Sequence, residues 1–181
     1  MTILKAPAGT LTDGVVELRL PSPDAGDVAT INQYVEDEQL QGGWLPEVPL
    51  VTGEQLVNDW LDCWNGRRDA TFTFVVTVPD DPRFIGVVGI AEHDDAAFEM
   101  TYGTAPSWRG AGMASRATRL AAQWLAEQPG VRTVETLIEQ GDGASERVAV
   151  NAGFVLADTM TRSDPVTGET VQLRYVMDRP A

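Results

Sequence analysis

A glycine-rich segment, Thr104 to Ser115, stands between a predicted strand and a predicted helix and could bind a phosphate group. The first N–H groups of a helix have no partner within the helix, and the helix dipole adds positive potential at that end. Gly110 and Gly112 would let an anion approach the backbone without meeting a Cβ atom, and Arg109 adds a positive charge. These residue types, in this order, predict a phosphate-binding turn.

Two other interpretations of this segment are open at this point. The start of a helix can contain a G-x-G pattern without binding any ligand. A dinucleotide-binding turn is the second alternative, with Gly110 to Ser115 in place of G-x-G-x-x-G and Glu135 near the ribose-binding distance. A dinucleotide domain needs repeated βα units, whereas tight hairpins join the strands predicted before this turn. The context therefore argues against the dinucleotide interpretation.

Few other residues have types suited to catalysis or to metal binding. Cys63 is the only cysteine and His93 the only histidine, so an internal disulfide and a cysteine-based zinc cluster are excluded, and we expect no metal. Cys63 is expected in the core of a predicted helix, and His93 in a solvated acidic turn. Glu99 lies in a predicted strand, where a glutamate is more often an exposed face residue than a catalytic group.

Alternating apolar residues, helical spacing and turn signals predict the elements that would position these side chains. The predicted strands span residues 15–20, 72–78, 84–91, 97–104, 131–138, 154–161 and 170–177. Helices are predicted to begin near Asp24, Thr52, Trp108 and Asp142. The fold class is therefore α/β in composition (α+β), with a mixed, mainly antiparallel sheet of about seven strands, one central βαβ unit and about four helices.

The composition is that of one soluble globular domain. The 181 residues are 43% hydrophobic and 22% charged, and we expect a single domain over residues 10–178. No apolar run approaches the roughly 20 residues that cross a bilayer, and the N-terminus has neither a basic start nor an apolar h-region. A cytoplasmic protein with no membrane partner is therefore expected.

Acidic residues dominate the first part of the chain. The net charge of −14 argues against a nucleic-acid partner, because phosphate affinity depends on clustered Lys and Arg. Residues 1–103 carry a net charge of −13, residues 104–150 are neutral, and residues 151–181 carry −1. The acidic part could attract a cationic ligand, and the neutral segment could accept an anion. A solvated acidic surface is the simpler interpretation of the same distribution.

Several segments carry motifs that occur together in one known family. Arg109 to Ala114 fits R-x-x-G-x-A, Phe98 to Gly110 is similar to E-I-G-Y-x-x-x-P-x-Y/W-R-G, and Ala144 to Phe154 is similar to N-x-x-S-x-R-V-A-x-x-x-G-F. Leu11 to Arg19 is similar to the opening of the same family. The chain thus resembles the GNAT superfamily of acyl-CoA-dependent N-acetyltransferases, in its RimJ/RimL branch, over roughly residues 10–178.

The resemblance implies that acetyl-CoA is the co-substrate. The pyrophosphate would bind backbone amides of residues 109–114, and the pantetheine arm would lie along the preceding strand. The implied cofactor-binding residues are Tyr102, Gly103, Thr104, Arg109, Gly110, Ala111, Gly112, Met113, Ala114 and Asp142.

The resemblance also implies roles in catalysis. Glu99 occupies the position of a general base that takes the ammonium proton, directly or through water. Ser145 matches the residue that meets the leaving thiolate, with helix capping as its alternative role. Trp44 is expected to line the acceptor side. Asp142 stands where the family usually has Asn, and an ionised Asp accepts hydrogen bonds but donates none, so an inactive relative is an open alternative.

These observations lead to one expected function. The protein is expected to move an acetyl group from acetyl-CoA to a primary amine, by direct transfer in a ternary complex. The amine would be a protein N-terminus, a polyamine or an aminoglycoside-like molecule, and the acidic first part favours a cationic acceptor. A catalytically inactive CoA-binding sensor or interaction module is the alternative. A monomer or a homodimer is expected.

Overall fold

The computed structural model describes residues 4–40, 52–67, 71–94, 96–164 and 168–177. The strands are β1 Leu11–Thr12, β2 Glu17–Arg19, β3 Phe72–Val78, β4 Asp81–Asp94, β5 Ala97–Thr104, β6 Thr133–Glu139, β7 Phe154–Asp164 and β8 Gly168–Met177. The α-helices are α1 Asp27–Leu40, α2 Gly53–Trp64, α3 Met113–Ala126 and α4 Gly143–Ala152. Short 3₁₀ turns cover Pro23–Ala25 and Pro106–Trp108.

The eight strands of the described residues form one sheet in the order β1-β2-β3-β4-β5-β6-β8-β7. β5 and β6 pair in parallel through the α3 crossover, and the other neighbours pair antiparallel. The expected mixed sheet with one central βαβ unit and four α-helices is therefore confirmed. The described part has eight strands rather than about seven, because the two-residue strand β1 pairs with β2.

Helices cover both faces of the sheet. One apolar cluster joins Ile31 and Tyr34 of α1 and Val57 of α2 to Val75 of the sheet. A second, larger cluster packs α3 and α4 against the opposite face, where Phe98 and Met100 of β5 are fully buried. The sheet thus separates a face that carries α1 and α2 from a face that carries α3 and α4.

Local sequence signals account for several helix ends. The Thr52 side chain accepts a hydrogen bond from the Gln55 amide at 3.2 Å, and Gln55 Oε1 accepts one from the Thr52 amide at 3.0 Å, which closes a capping box at the start of α2. Cys63, near the end of α2, is 2% exposed and belongs to the core as expected. α4 ends at Gly153, whose φ of 101° is the left-handed conformation that glycine adopts readily.

A buried ion pair fixes the start of α1. The helix begins at Asp27 rather than near Asp24, because Asp24 lies in the preceding 3₁₀ turn. The Asp27 carboxylate is fully buried and accepts hydrogen bonds from both terminal nitrogens of Arg19, at 2.8 and 2.6 Å, and from the Ser22 amide at 2.7 Å. These bonds attach α1 to β2.

β4 is longer than the sequence predicted and includes His93. Asp81 already pairs with Val78, so the turn before β4 is tighter than the gap of residues 79–83 between the two predicted strands. At its other end β4 continues to Asp94, which pairs with Ala97 of β5. The expectation that His93 lies in a turn was wrong, because the chain reverses beyond it, where Ala96 adopts a φ of 66°.

Candidate active site

β5 and β6 pair over three residues and then separate, which opens a cleft in the sheet. The paired residues are 97–99 of β5 and 133–135 of β6, so Glu99 and Glu135 form the last pair before the strands diverge. We call this point the apex of the cleft. The last three residues of β5, the first turns of α3 and α4, and Tyr34 of α1 border the opening, which has a volume of about 560 Å³.

The backbone of β5 directs alternate residues toward the cleft. The Ala105 amide donates to the Ile85 carbonyl at 2.8 Å, so Ala105 faces β4. Because an antiparallel ladder alternates, Gly103 also faces β4, whereas Met100 and Tyr102 turn their N–H and C=O groups toward the side that β6 has left. An extended ligand with amide groups could pair with this edge as an added strand would.

The first turn of α3 presents backbone N–H groups at one end of the cleft. Gly112 is the N-cap with a φ of 78°, and no side chain caps this helix. Gly110 has a φ of 77°, and a Cβ atom on either glycine would meet no atom within 4 Å. Arg109 Nε donates to the Thr104 carbonyl at 3.0 Å. Exposed amides, open space and a nearby guanidinium make this end suited to a phosphate group.

Asp142 caps α4 and binds the hydroxyl group of Ser145. Asp142 Oδ1 accepts hydrogen bonds from the amides of Ala144 at 3.2 Å and Ser145 at 3.0 Å, and Oδ2 accepts one from Ser145 Oγ at 2.6 Å. Burial raises the pKa of Asp142, but these hydrogen bonds and the Arg147 charge outweigh burial, so its pKa lies below the ordinary value. Asp142, and not Ser145, is therefore the N-cap of α4.

Tyr102 connects β5 to α4 across the cleft. Its hydroxyl group donates to the Ser145 backbone carbonyl at 2.8 Å. Burial of the side chain raises the pKa of Tyr102 above its ordinary value, so the phenol remains a hydrogen-bond donor at neutral pH. This bond holds the first turn of α4 at a fixed distance from the strand.

Glu99 lies at the apex, on the face of the sheet opposite to Phe98 and Met100. Since those two residues are buried under α3, the Glu99 side chain lies on the face that carries α1 and α2, where it is partly exposed. Glu135, its neighbour in the register, is 1% exposed and accepts a hydrogen bond from Arg174 Nε at 2.7 Å. Two glutamates on one face of the sheet are therefore neighbours in the strand register at the apex.

The structure brings most of the predicted site residues together. The predicted cofactor-binding residues all border the cleft except Ala111, which lies in the same turn, and Ser145 borders it as well. Glu99 lies at the apex and is not among the residues that border the opening. Trp44 lies outside the described residues, as does the side chain of His93. The roles assigned to these residues stay predictions.

Other residues that border the cleft were not singled out from the sequence. Trp108 and Arg147 lie within the matched motifs, and Asn151 follows Arg147 by four residues on the same face of α4, so helical spacing could have indicated it. Tyr34 gave no local signal. Its hydroxyl group lies 2.6 Å from where a Cβ atom of Gly103 would stand, a proximity that only the packing of α1 creates.

Within the described residues, no helix combines the length and the apolar character that a membrane span requires. In the same part of the chain, no three side chains of the His, Cys, Asp and Glu types come together as a metal site would need.

Comparison with solved structures gives the same fold. The ribosomal-protein-S5-alanine acetyltransferase from Vibrio fischeri superposes with a TM-score of 0.71 at 18% identity, covering 94% of this chain and 99% of that chain. The microcin C7 self-immunity acetyltransferase MccE, solved with acetyl-CoA and AMP, gives 0.73 at 14% identity, covering 92% and 97%. The ribosomal L7/L12 alpha-N-protein acetyltransferase RimL, solved with coenzyme A, gives 0.71 at 16% identity, covering 93% and 98%.

Sequence comparison assigns the family. No curated protein matches the chain. Residues 16–155 match the family model of the acetyltransferase (GNAT) domain, which is most of the chain. The protein therefore belongs to the GNAT acetyltransferase family.

Proposed function

We propose that the protein is a cytoplasmic, acetyl-CoA-dependent N-acetyltransferase that transfers the acetyl group directly to a cationic primary amine in a ternary complex. The observation that carries this proposal is the course of the cleft. It leads from the first turn of α3, which no side chain caps, along the backbone edge of β5 at Tyr102. Glu99 stands three residues before Tyr102 on the same strand, where β5 and β6 diverge. An anionic ligand with an extended, amide-containing arm fits this sequence of groups.

The cofactor-binding residues follow from the chemistry of that ligand. The amides after Gly110 and Gly112, with Arg109, would hold the pyrophosphate. Met100 and Tyr102 would pair with the amides of the pantetheine arm, because their backbone groups face the cleft. When bound, acetyl-CoA supplies the thioester whose acetyl group is transferred.

Glu99 is the proposed general base. An ammonium group must lose a proton before its nitrogen can attack a carbonyl carbon, and a carboxylate at the apex could accept that proton directly or through one water molecule. Ser145, on the opposite wall of the cleft, is proposed to face the departing thiolate. No covalent bond to the protein is required in this scheme.

The acceptor is proposed to be a cation. The net charge of −13 in residues 1–103 includes α1 and α2, which lie on the same face of the sheet as Glu99. Two proteins of the same fold are named for ribosomal-protein substrates, and a protein N-terminus is accordingly one proposed acceptor class. A polyamine or an aminoglycoside-like molecule would meet the same charge requirement.

A binding assay and a transfer assay together test the proposal. Isothermal titration with CoA and acetyl-CoA should show one site per chain, and NAD⁺ should not bind. Thiol release from acetyl-CoA should depend on an added amine, in a panel of N-terminal peptides, polyamines and aminoglycosides. Absence of acetyl-CoA binding would remove the proposed function altogether.

A CoA-binding module without turnover is the second candidate, and the Asp142 to Ser145 contact favours it. The Ser145 hydroxyl hydrogen is held by a carboxylate, so it is directed away from any thiolate in the cleft. This candidate requires acetyl-CoA binding without amine-dependent thiol release across the panel. The two assays therefore separate the candidates.

A further inference from the structure

Four charged side chains follow one another across the sheet on the face that carries Glu99. Glu99, Glu135, Arg174 and Asp158 come from the neighbouring strands β5, β6, β8 and β7. Arg174 Nε donates to Glu135 Oε2 at 2.7 Å, and Arg174 Nη1 donates to Asp158 Oδ2 at 3.2 Å. Adjacent strands lie about 4.8 Å apart, so each charge stands within direct electrostatic reach of the next.

Glu135 is the unusual member of this row because it is buried. Only 2% of its side chain is exposed, compared with 28% for Arg174 and 56% for Asp158. A buried carboxylate is stable in its charged form only when a cation or several donors compensate it. Arg174 provides that compensation from the side of Glu135 that faces away from Glu99.

Among the described side chains, the two strands that flank Glu99 place one charged group directly beside it, and α1 and α2 add acidic residues to the same face. On β4, Ala91 stands opposite Glu99, and Glu92 points to the other face of the sheet by strand alternation. His93 follows on β4, with its side chain outside the described atoms. On the β6 side, Glu135 is the direct neighbour. Within the described side chains, Glu135 is therefore the charged residue that the strand register places nearest to Glu99.

We propose that Glu135 and Arg174 are positioning residues of the acetyl transfer: by holding Glu135 as an ion pair, Arg174 leaves Glu99 as the one carboxylate of the adjacent pair that exchanges protons with the acceptor amine. Without the arginine, two neighbouring carboxylates would compete for one proton, because like charges at this separation disfavour simultaneous ionisation. The inference rests on the proposed function, in which Glu99 is the general base.

Opposite charge changes at the two residues give opposite expected results. Arg174→Met removes the cation, so the apex pair takes up a proton at higher pH. The acidic limb of the pH–kcat profile, where kcat falls as the general base is protonated, should therefore move to higher pH by about one unit or more. Glu135→Gln removes the neighbouring anion and leaves the cation, so the same limb should move to lower pH.

The double variant Arg174→Met, Glu135→Gln removes both charges and should return the limb close to its original position. Arg174→Lys keeps the cation and should change the limb little.

Matched controls on the same hairpin separate this effect from general charge changes. Arg162→Met on β7 and Glu169→Gln on β8 make the same substitutions at exposed positions. Both should leave the acidic limb in place. Circular dichroism and thermal unfolding identify variants that fail to fold, and the double variant replaces Arg174→Met as the informative protein if the single variant is unfolded.

The outcomes distinguish this inference from the proposed function. If the parent protein binds acetyl-CoA and transfers the acetyl group, and Glu99→Gln removes the acidic limb of the pH–kcat profile, then Glu99 acts as the general base. Unchanged limbs in folded Arg174→Met and Glu135→Gln would then overturn the positioning role alone, as would shifts of the same sign in both. If the double variant is folded but keeps the shift of Arg174→Met, the ion pair is structural. If no amine-dependent transfer occurs in the parent protein, the proposed function itself fails.

Discussion

The Ser145 hydroxyl group donates a hydrogen bond to Asp142 Oδ2 at 2.6 Å, in the first turn of the helix that borders the cleft. A hydroxyl group has one hydrogen, so while Asp142 is ionised that hydrogen points to the carboxylate. Ser145 then offers only its oxygen lone pairs to a ligand in the cleft. The same carboxylate accepts two backbone amides of α4, which joins the cap of this helix to the proposed catalytic group.

The first prediction concerns stability at acid pH. The pKa of Asp142 in the folded protein lies below its ordinary value of 3.8, because hydrogen bonds from Ser145 and Ala144 outweigh the opposing effect of burial. A group whose pKa is lower in the folded state than in the unfolded state stabilises the folded protein when the pH is above the unfolded-state pKa. That stabilisation is lost as the pH falls through the folded-state pKa. Asp142→Asn keeps an acceptor for the amides but does not titrate. The stability advantage of the parent protein over Asp142→Asn should therefore decrease as the pH is lowered through 3.8.

Urea unfolding across a series of pH values measures this difference. If the free energies of unfolding of the two proteins change with pH in parallel, Asp142 has the same proton affinity in the folded and unfolded states, and the prediction is wrong. Asp24→Asn is a suitable comparison, because it removes an exposed carboxylate far along the chain from the cap of α4.

The second prediction concerns the rate of transfer in the same variant. An Asn at position 142 can donate its amide hydrogen to Ser145 Oγ, which would release the hydroxyl hydrogen toward the cleft. If Ser145 protonates the leaving thiolate, Asp142→Asn should raise kcat at neutral pH. Ser145→Ala introduced into Asp142→Asn should abolish the gain. A gain that survives without the hydroxyl group would exclude Ser145 as the donor.

The third prediction concerns the phosphate end of the cleft. A Cβ atom at Gly112 would enter the open space in front of the α3 amides, so Gly112→Ala should weaken CoA binding by about tenfold, or ~1.4 kcal/mol. Gly66→Ala is the matched control. Gly66 has a φ of 67° and open surroundings, so it imposes the same backbone strain outside the cleft. Titration of both folded variants with CoA should show a loss of affinity in Gly112→Ala only, and equal losses would place the pyrophosphate elsewhere.

The fourth prediction concerns proton transfer. Glu99→Gln should lower kcat by roughly 10²- to 10⁴-fold and flatten the acidic limb of the pH–rate profile, because glutamine cannot accept the ammonium proton. Affinity for acetyl-CoA should remain nearly unchanged, since a neutral side chain of the same shape stays at the apex. His93→Gln is the control for a nearby titratable group and should have little effect. An unaltered profile in Glu99→Gln would limit this residue to a structural role.

Local features of the sequence predicted the parts of the site that one segment builds. The glycine turn before α3 depends on residues within a few positions of one another, so the pattern specified its conformation. The helix start near Thr52 was likewise local, because the capping box involves only Thr52 and Gln55. The β5 strand was predicted with its observed ends, which placed Glu99 and Tyr102 on opposite faces of one strand.

Contacts between distant segments were not predictable in this way. Arg174 and Glu135 come from strands that only the sheet order makes neighbours, and a Glu in a strand with an Arg far along the chain gives no signal of an ion pair. The pairing of β4 with β5 extended β4 over His93 against the local acidic pattern. Strand pairing and helix packing, rather than local propensity, decided these features.

The last prediction concerns salt. If the acidic residues of positions 1–103 draw a cationic amine toward the apex, raising the salt concentration should increase the KM of the acceptor, because exposed charges are screened over about 8 Å at physiological ionic strength. The two substrates should respond differently. CoA is an anion that approaches a protein of net charge −14, so screening removes long-range repulsion and its KM should stay flat or fall slightly, apart from a weaker local contact with Arg109. Initial rates over a salt series, with each substrate varied in turn, measure both constants. An acceptor KM that stays flat or falls with salt would mean that the acidic part serves solubility, and the proposed preference for a cationic acceptor would lose its support.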